Sequence, residues 1–237
     1  MKRAIKRLLS IFLIILFFAP GINILANLAS EQENGILEGF VYVDELIPDV
    51  ILEVRYYSDD NFVGSRVDGY LAPKVILTME AAEALAEVAD EMRVLGLVLK
   101  LFDGYRPQEA VNHFIRWAED AEDQKMKDKY YPEVDKKDAF KLGYIAKRSG
   151  HSRGSTIDLT LVGIVTGEEL DMGSSFDFFG EISHHGTDKI SEEQFKNREI
   201  LRVVMEKHGF EPYSKEWWHY TLLNEPYSYT YYDFPVQ

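Results

Sequence analysis

Two segments constrain this chain more than any other feature: Ser149-Gly150-His151-Ser152-Arg153-Gly154-Ser155-Thr156-Ile157-Asp158 and, far downstream, Glu216-Trp217-Trp218-His219. Together they offer two histidines, an aspartate and a spare glutamate. That set matches a catalytic zinc site, with three protein ligands, an open position for water and a base for the water's proton. Any fold that uses it must bring both segments to one point. His151 and Asp158 are seven apart, and an odd separation on one regular strand puts side chains on opposite faces. The chain must therefore turn around Gly154, where glycine permits it, with Asp158 at the start of the following strand. Glu216 and His219 face one pocket if Glu216 precedes a strand that carries His219.

Zinc accepts imidazole nitrogen and carboxylate oxygen in tetrahedral geometry and lowers the pKa of its water to about 7. A carboxylate such as Glu216, within reach of that water, can take its proton and later deliver it to a leaving amine. Taken singly, each residue also has a plain structural reading. A histidine among Gly and Ser is commonly a loop residue, an aspartate on a strand commonly pairs with a turn amide, and Trp217 and Trp218 read as core packing.

The length of 237 residues suits one domain with a substantial core. A net charge of -14 argues against nucleic acid as a partner, because phosphate binding needs a basic face. With no cysteine, disulfides, Cys-ligated zinc and a thiol nucleophile are all excluded. The N-terminus departs from the rest. Lys2, Arg3, Lys6 and Arg7 precede an apolar run from Leu8 to Ala19, then Pro20-Gly21 and the small residues Ala26, Ala29 and Ser30. This is the layout of a secretory signal peptide over residues 1–29, with an uncleaved membrane anchor as the alternative. Export to the periplasm or the exterior follows, with no stable membrane span after cleavage. Removing these four basic residues, and no acidic ones, takes the charge from -14 to -18 for residues 30–237.

Along the remaining chain, Phe40 to Tyr57 reads as two short strands or a strand and a turn. Thr78 caps a helix to Leu95, whose apolar positions Ala81, Ala82, Leu85, Val88, Ala89 and Met92 recur at helical spacing before Gly96. Leu97 to Phe102 reads as a buried strand, and Pro107 suits the first turn of a helix through Trp117. Residues 119–141 are dense in charge and read as a surface excursion. Ile157 to Val165 is a strand, 167–185 is irregular, and Ser191 with Gln194 forms a capping box for a helix ending at Gly209. Trp217 to Leu223 is the last strand. The economical fold is a single α+β domain over 30–237, a small mainly antiparallel sheet flanked by helices with the zinc site at the sheet.

The combination resembles the VanX-type D-alanyl-D-alanine dipeptidases, zinc enzymes of the wider D,D-peptidase group that includes the VanY-type carboxypeptidases. Their signature is Ser-x-His-x-x-Gly-x-Ala-x-Asp followed by Glu-x-x-His. Ser149, His151, Gly154 and Asp158 meet the first part, with Thr156 where the family usually has Ala. Asp103-Gly104-Tyr105-Arg106-Pro107, Met172-Gly173-Ser174-Ser175-Phe176-Asp177-Phe178, the pair His184-His185, Asp60-Asn61-Phe62, Glu225-Pro226-Tyr227 and Phe234-Pro235 look like further family segments. The likeness covers residues 40–237 in order. The signal-like N-terminus departs from the best-known dipeptidases, which act in the cytoplasm.

The resemblance implies one zinc ion per chain bound by His151, Asp158 and His219, with Glu216 as general base and then acid. It implies that Arg106 stabilises the oxyanion as the peptide carbonyl becomes tetrahedral; without it, an Arg before Pro107 reads equally as a surface salt-bridge partner. Asp177, Tyr56 and Ser149 look like positions that hold the substrate's amino group, although Asp177 in a loop also suits an Asx turn. The implied activity is hydrolysis of the small peptide D-alanyl-D-alanine to D-alanine in cell-wall metabolism. Two alternatives stay open: a D,D-carboxypeptidase trimming stem peptides, and a non-catalytic, zinc-containing wall-binding module. His184 and His185 are expected to be structural or solvent-facing, and His113 and His208 peripheral.

Overall fold

The strands follow from short apolar runs. Leu97–Asp103 (β4) buries Leu97, Leu99, Leu101 and the residues to Asp103, and Thr156–Gly163 (β5) is buried at every position before Gly163. A strand covered on both faces belongs at the centre of a sheet. The computed structural model, which describes residues 36–237, places β5 there. The segment read as a signal peptide lies outside the described residues.

The element order begins with Phe40–Tyr42 (β1), a helical turn at Val43–Leu46, Ile51–Leu52 (β2) and Ile76–Thr78 (β3). Phe210–Pro212 (β6) and His219–Leu222 (β7) close the main sheet, whose order is β2-β4-β5-β7-β6. Only the β2–β4 pair is parallel; β4–β5, β5–β7 and β6–β7 are antiparallel. β1 and β3 form a separate antiparallel pair. The α+β, mainly antiparallel architecture read from sequence holds.

The helices are set by their caps and one apolar stripe each. Met79–Val94 starts where the Thr78 hydroxyl accepts from the Ala81 amide and buries the six positions expected from its periodicity. Glu192–Lys207 starts with a reciprocal capping box: Gln194 N–H donates to Ser191 Oγ at 3.2 Å, and Ser191 N–H to Gln194 Oε1 at 2.8 Å. Each such cap contributes about 1 kcal/mol.

Four readings change in detail. Pro107 is the N-cap of Gln108–Glu119 rather than part of its first turn. Val43–Leu46 is helical, so the Phe40–Tyr57 run is broken by a turn of helix as well as by Pro48. Residues 119–141 are more than a surface excursion. Tyr130, Tyr131, Val134 and Ala139 are buried, and so is Lys136, whose ammonium donates to the carbonyls of Trp117 and Asp120. Charge density concealed this, because apolar anchors alternate with solvated charges there. The last strand begins at His219, since Trp217 turns its amide to Ser183 O. Both tryptophans pack in the core as read.

Candidate active site and metal centre

The sheet register assembles much of the site. Asp103 on β4 stands opposite Asp158 on β5, and Asp158 opposite His219 on β7. Directly opposed residues share a face, with Cβ atoms about 5 Å apart. Three strands therefore lay three polar side chains in one row. On β4, Leu101 pairs with Leu159 and Asp103 with Asp158, so Phe102 is an extra residue and the ladder is bulged. A bulge next to a site re-aims the following side chain; here it turns Asp103 inward.

His151 arrives from outside the sheet. Ser149 caps a 3-10 turn, Gly150–Arg153, by accepting from the His151 amide, and Gly154 follows at φ +85°. The turn at Gly154 is therefore real, and it resolves the odd spacing of His151 and Asp158. A Cβ at Gly154 would sit 2.3 Å from Phe40 Cε1, so no other residue fits without rearrangement.

The His151 ring is fixed by Gly104: Nδ1–H donates to its carbonyl at 2.7 Å. That bond leaves Nε2 as the bare nitrogen. It lies 3.2 Å from Asp158 Oδ2 and 3.2 Å from His219 Nδ1, while His219 Nδ1 is 3.1 Å from Asp158 Oδ1. The candidate ligand atoms of all three lie within 4.8 Å of one another. Asp158 Oδ1 is buried with no hydrogen-bond partner. An orphaned buried carboxylate oxygen beside two imidazole nitrogens fits a divalent metal ion better than it fits any hydrogen-bond network. Glu216, in the turn before β7, has Oε2 3.5 Å from His219 Nδ1.

Arg106 is largely buried, its guanidinium over the rings of Tyr56 (4.9 Å) and Phe114 (5.2 Å), so its salt-bridge reading as a surface residue fails. Its Nε and Nη2 reach Asp103 Oδ2 at 2.9 and 2.8 Å, and Nη2 stands 3.6 Å from Asp158 Oδ2. Asp177 adopts φ +60°, which among the described residues is seen at no other non-glycine position. Its Oδ2 accepts from the Tyr56 hydroxyl at 2.8 Å rather than closing a local Asx turn. A left-handed conformation is uncommon outside glycine although aspartate tolerates it, and such conformations concentrate at functional positions.

These groups line one cavity of ≈ 250 Å³: Tyr56, Arg106, Ser149, His151, Asp158, Asp177, Glu216 and His219, walled by Phe62, Phe114, Tyr144, Ile145 and Tyr213. Every site residue expected from sequence is present. The electrostatics call for cations. Burial, with Asp158 and Glu216 adding, pushes the Asp177 carboxyl well above its ordinary value. Burial likewise lifts Glu216 to about 7, against the pull of His219. Burial also works to raise Asp158, but the two imidazoles beside it prevail and hold it below the usual carboxylate range. Three carboxylates thus face one small space, and of the two arginines that line it, Arg106 is committed to a fourth carboxylate, Asp103.

Sequence reasoning missed Asp103, Gly104 and the wall segment 143–146. Asp103 and Gly104 were visible only as part of the Asp-Gly-Tyr-Arg-Pro run. Thr156 bonds its hydroxyl to Thr221 across the strands at 2.9 Å and does not line the cavity, so the departure from Ala adds a cross-strand link. His184 and His185 do not line the cavity either; each buries an Nε2 without a hydrogen-bond partner, and burial pushes His185 down to about 4. His113 and His208 bond Asp68 N–H and Glu91 away from the site, as expected.

A His-Asp-His triangle, buried at His151 and Asp158 and part-buried at His219, with an adjacent glutamate fits a metallohydrolase-type centre. The family model described as D-ala-D-ala dipeptidase, peptidase M15, matches residues 37–237, and the chain belongs to this family. It is 47% identical over 199 residues to a D-alanyl-D-alanine dipeptidase of Enterococcus faecium, covering 84% of this chain and 98% of the relative. A Streptomyces coelicolor dipeptidase of the same name is 44% identical over 197 residues, covering 83% and 98%. One from Escherichia coli K12 is 32% identical over 177 residues, covering 75% and 81%.

Proposed function

We propose that this protein is a zinc metallopeptidase that hydrolyses D-alanyl-D-alanine to two D-alanines. The observation that carries the reading is the cavity in which His151, Asp158 and His219 converge beside Glu216, Arg106 and Asp177. The names of the relatives supply the substrate. His151, Asp158 and His219 are the metal ligands, one ion per chain. When bound, zinc supplies Lewis acidity toward the peptide carbonyl and an attacking water of lowered pKa.

The protein's own groups do the rest. Glu216 takes the proton of the attacking water and returns it to the leaving amine. Arg106 faces the carbonyl oxygen as it gains charge, an interaction stronger in the transition state than in the ground state. The Asp177 carboxyl, held by Tyr56, receives the dipeptide's ammonium, whose positive charge opposes the burial and the neighbouring carboxylates that raise it and favours the ionised form; a charged hydrogen bond of this kind is roughly twice as strong as a neutral one. Ser149 stands at the cavity wall beside them. A carboxyl group in the lining of a small cavity, paired with the ammonium, selects a free amino terminus and disfavours an acylated one. That favours the dipeptidase over the carboxypeptidase alternative, while Glu216 and Arg106 together disfavour a non-catalytic module.

The test is D-alanine release from the free dipeptide. Zinc-loaded protein releases it, chelated protein does not, and zinc restores the rate. Release that survives complete metal removal contradicts the reading.

Residues 1–29 act as an export signal in this account, leaving the domain 30–237 outside the cytoplasm, where it would process dipeptide or wall fragments. Among the described residues no helix is long and apolar enough to cross a membrane. N-terminal sequencing of the protein from culture checks this: a start near residue 30 supports it, and an intact Met1 in the cytosol contradicts it.

A further inference from the structure

Asp103 and Tyr70 have no part in the chemistry described so far, yet both are fully buried against it. The Tyr70 hydroxyl donates to Asp103 Oδ1 at 2.6 Å. The other oxygen, Oδ2, accepts from Arg106 Nε at 2.9 Å and lies 2.8 Å from Nη2. One edge of the guanidinium is thereby held, while Nη1 makes no hydrogen bond to the described residues, and the side chain lines the cavity. Oδ2 also stands 3.5 Å from His151 Nδ1. The carboxylate is placed by the β4 bulge, and the next residue, Gly104, gives His151 its acceptor. A Cβ on Gly104 would come 2.7 Å from Ile76 O, so this turn has no slack.

Tyr70 is in turn tied down by the C-terminal segment. It forms a bridge with Val236, whose amide donates to Gly69 O and whose carbonyl accepts from Leu71 and Ala72. The same segment ties the Arg106 side of the site. The Tyr105 hydroxyl is bonded to both the amide and the carbonyl of Phe234, and Gln108 N–H donates to Tyr232 O. Tyr232 N–H donates to Ser152 O, next to His151.

We infer that Tyr70 and Asp103 are positioning residues that clamp Arg106 in the orientation its role at the carbonyl oxygen requires, with the C-terminal segment as the brace. The inference rests on the proposed function of Arg106. An arginine on a flexible stem loses rotamer freedom when fixed, and a charged donor is useful for rate only when it is already aimed before the charge develops. A buried carboxylate that accepts from two sides supplies that aim. The tyrosine hydroxyl satisfies the oxygen that Arg106 leaves unused, which a buried carboxylate requires.

The experiment compares Tyr70→Phe, Asp103→Asn, Arg106→Ala and the Asp103→Asn/Arg106→Ala double variant in zinc-loaded protein. Misaiming a catalytic group by about 1 Å costs up to about 100-fold in rate; on that scale Asp103→Asn lowers kcat by about 100-fold and Tyr70→Phe by about 10-fold. KM and zinc content stay near wild type in both. In the Arg106→Ala background, Asp103→Asn costs no more than about twofold further, because residues acting through one another are not additive. A full further loss there, a fall in zinc content that accounts for the rate, or an unchanged kcat overturns the clamp. Should Asp103→Asn fail to fold, Tyr70→Phe decides on the same criteria.

A second readout is independent of turnover: the Arg106 Nε–H resonance is protected from solvent exchange in wild type and loses protection in Tyr70→Phe. Unchanged protection overturns the clamp. If wild-type protein releases no D-alanine, the proposed function fails instead, and this exchange measurement still decides the clamp.

Discussion

Glu216→Ala is expected to lower kcat on D-alanyl-D-alanine by about 10³-fold or more, within the upper range for loss of a general acid–base. Zinc content should stay at the wild-type level. The reason is geometric. Glu216 lies in the turn ahead of β7, its Oε2 is 3.5 Å from His219 Nδ1, and it lines the cavity without belonging to the converging ligand triangle. Removing it therefore takes away the proton carrier and leaves the ligand set intact. Glu216→Gln is the sharper version, since it keeps the volume and hydrogen-bonding capacity but not the basicity. Wild-type turnover in either variant would remove Glu216 from the mechanism. Loss of zinc in step with activity would assign it to the metal instead.

Arg106→Ala has the second largest expected effect. Removing a preorganised donor to a developing oxyanion costs about 10²- to 10³-fold in kcat. KM should change much less, because the contact strengthens only as the carbonyl oxygen becomes anionic. Arg106→Lys should recover little of the rate. An ammonium cannot hold Asp103 Oδ2 with two nitrogens and keep a third free, whereas the guanidinium here has Nε and Nη2 on Asp103 and an Nη1 that bonds none of the described residues. A variant with raised KM and normal kcat would make Arg106 a substrate anchor.

Much of this site was legible in the residues. His151, Asp158 and His219 carry their chemistry in their identity, and glycine at 154 announced the turn that the odd spacing demanded. Convergence itself was less legible, because it depends on register. That Asp158 opposes His219 and Asp103 follows from strand pairing and from one extra residue, Phe102, on β4. Nothing local in Leu97-Val98-Leu99-Lys100-Leu101-Phe102-Asp103 marks a bulge, so Asp103 reads as a polar strand end. The left-handed turn at Asp177 was equally hidden, since an aspartate tolerates that conformation without a sequence signature. The helices were legible where caps and periodicity agreed, as at Thr78 and Ser191. They were not in 119–141, where buried tyrosines are spaced among charges.

The most direct measurement of the central claim is the kcat/KM of zinc-loaded protein for D-alanyl-D-alanine against its N-acetylated form. Acetylation removes the ammonium that Asp177 is proposed to receive and adds bulk to a cavity of ≈ 250 Å³. Losing one buried charged hydrogen bond and leaving its partner unsatisfied costs about 1–3 kcal/mol or more; the free dipeptide is therefore expected to be preferred by at least about 10- to 100-fold. Equal or faster cleavage of the acetylated form would contradict the account and turn the protein into a carboxypeptidase of stem peptides.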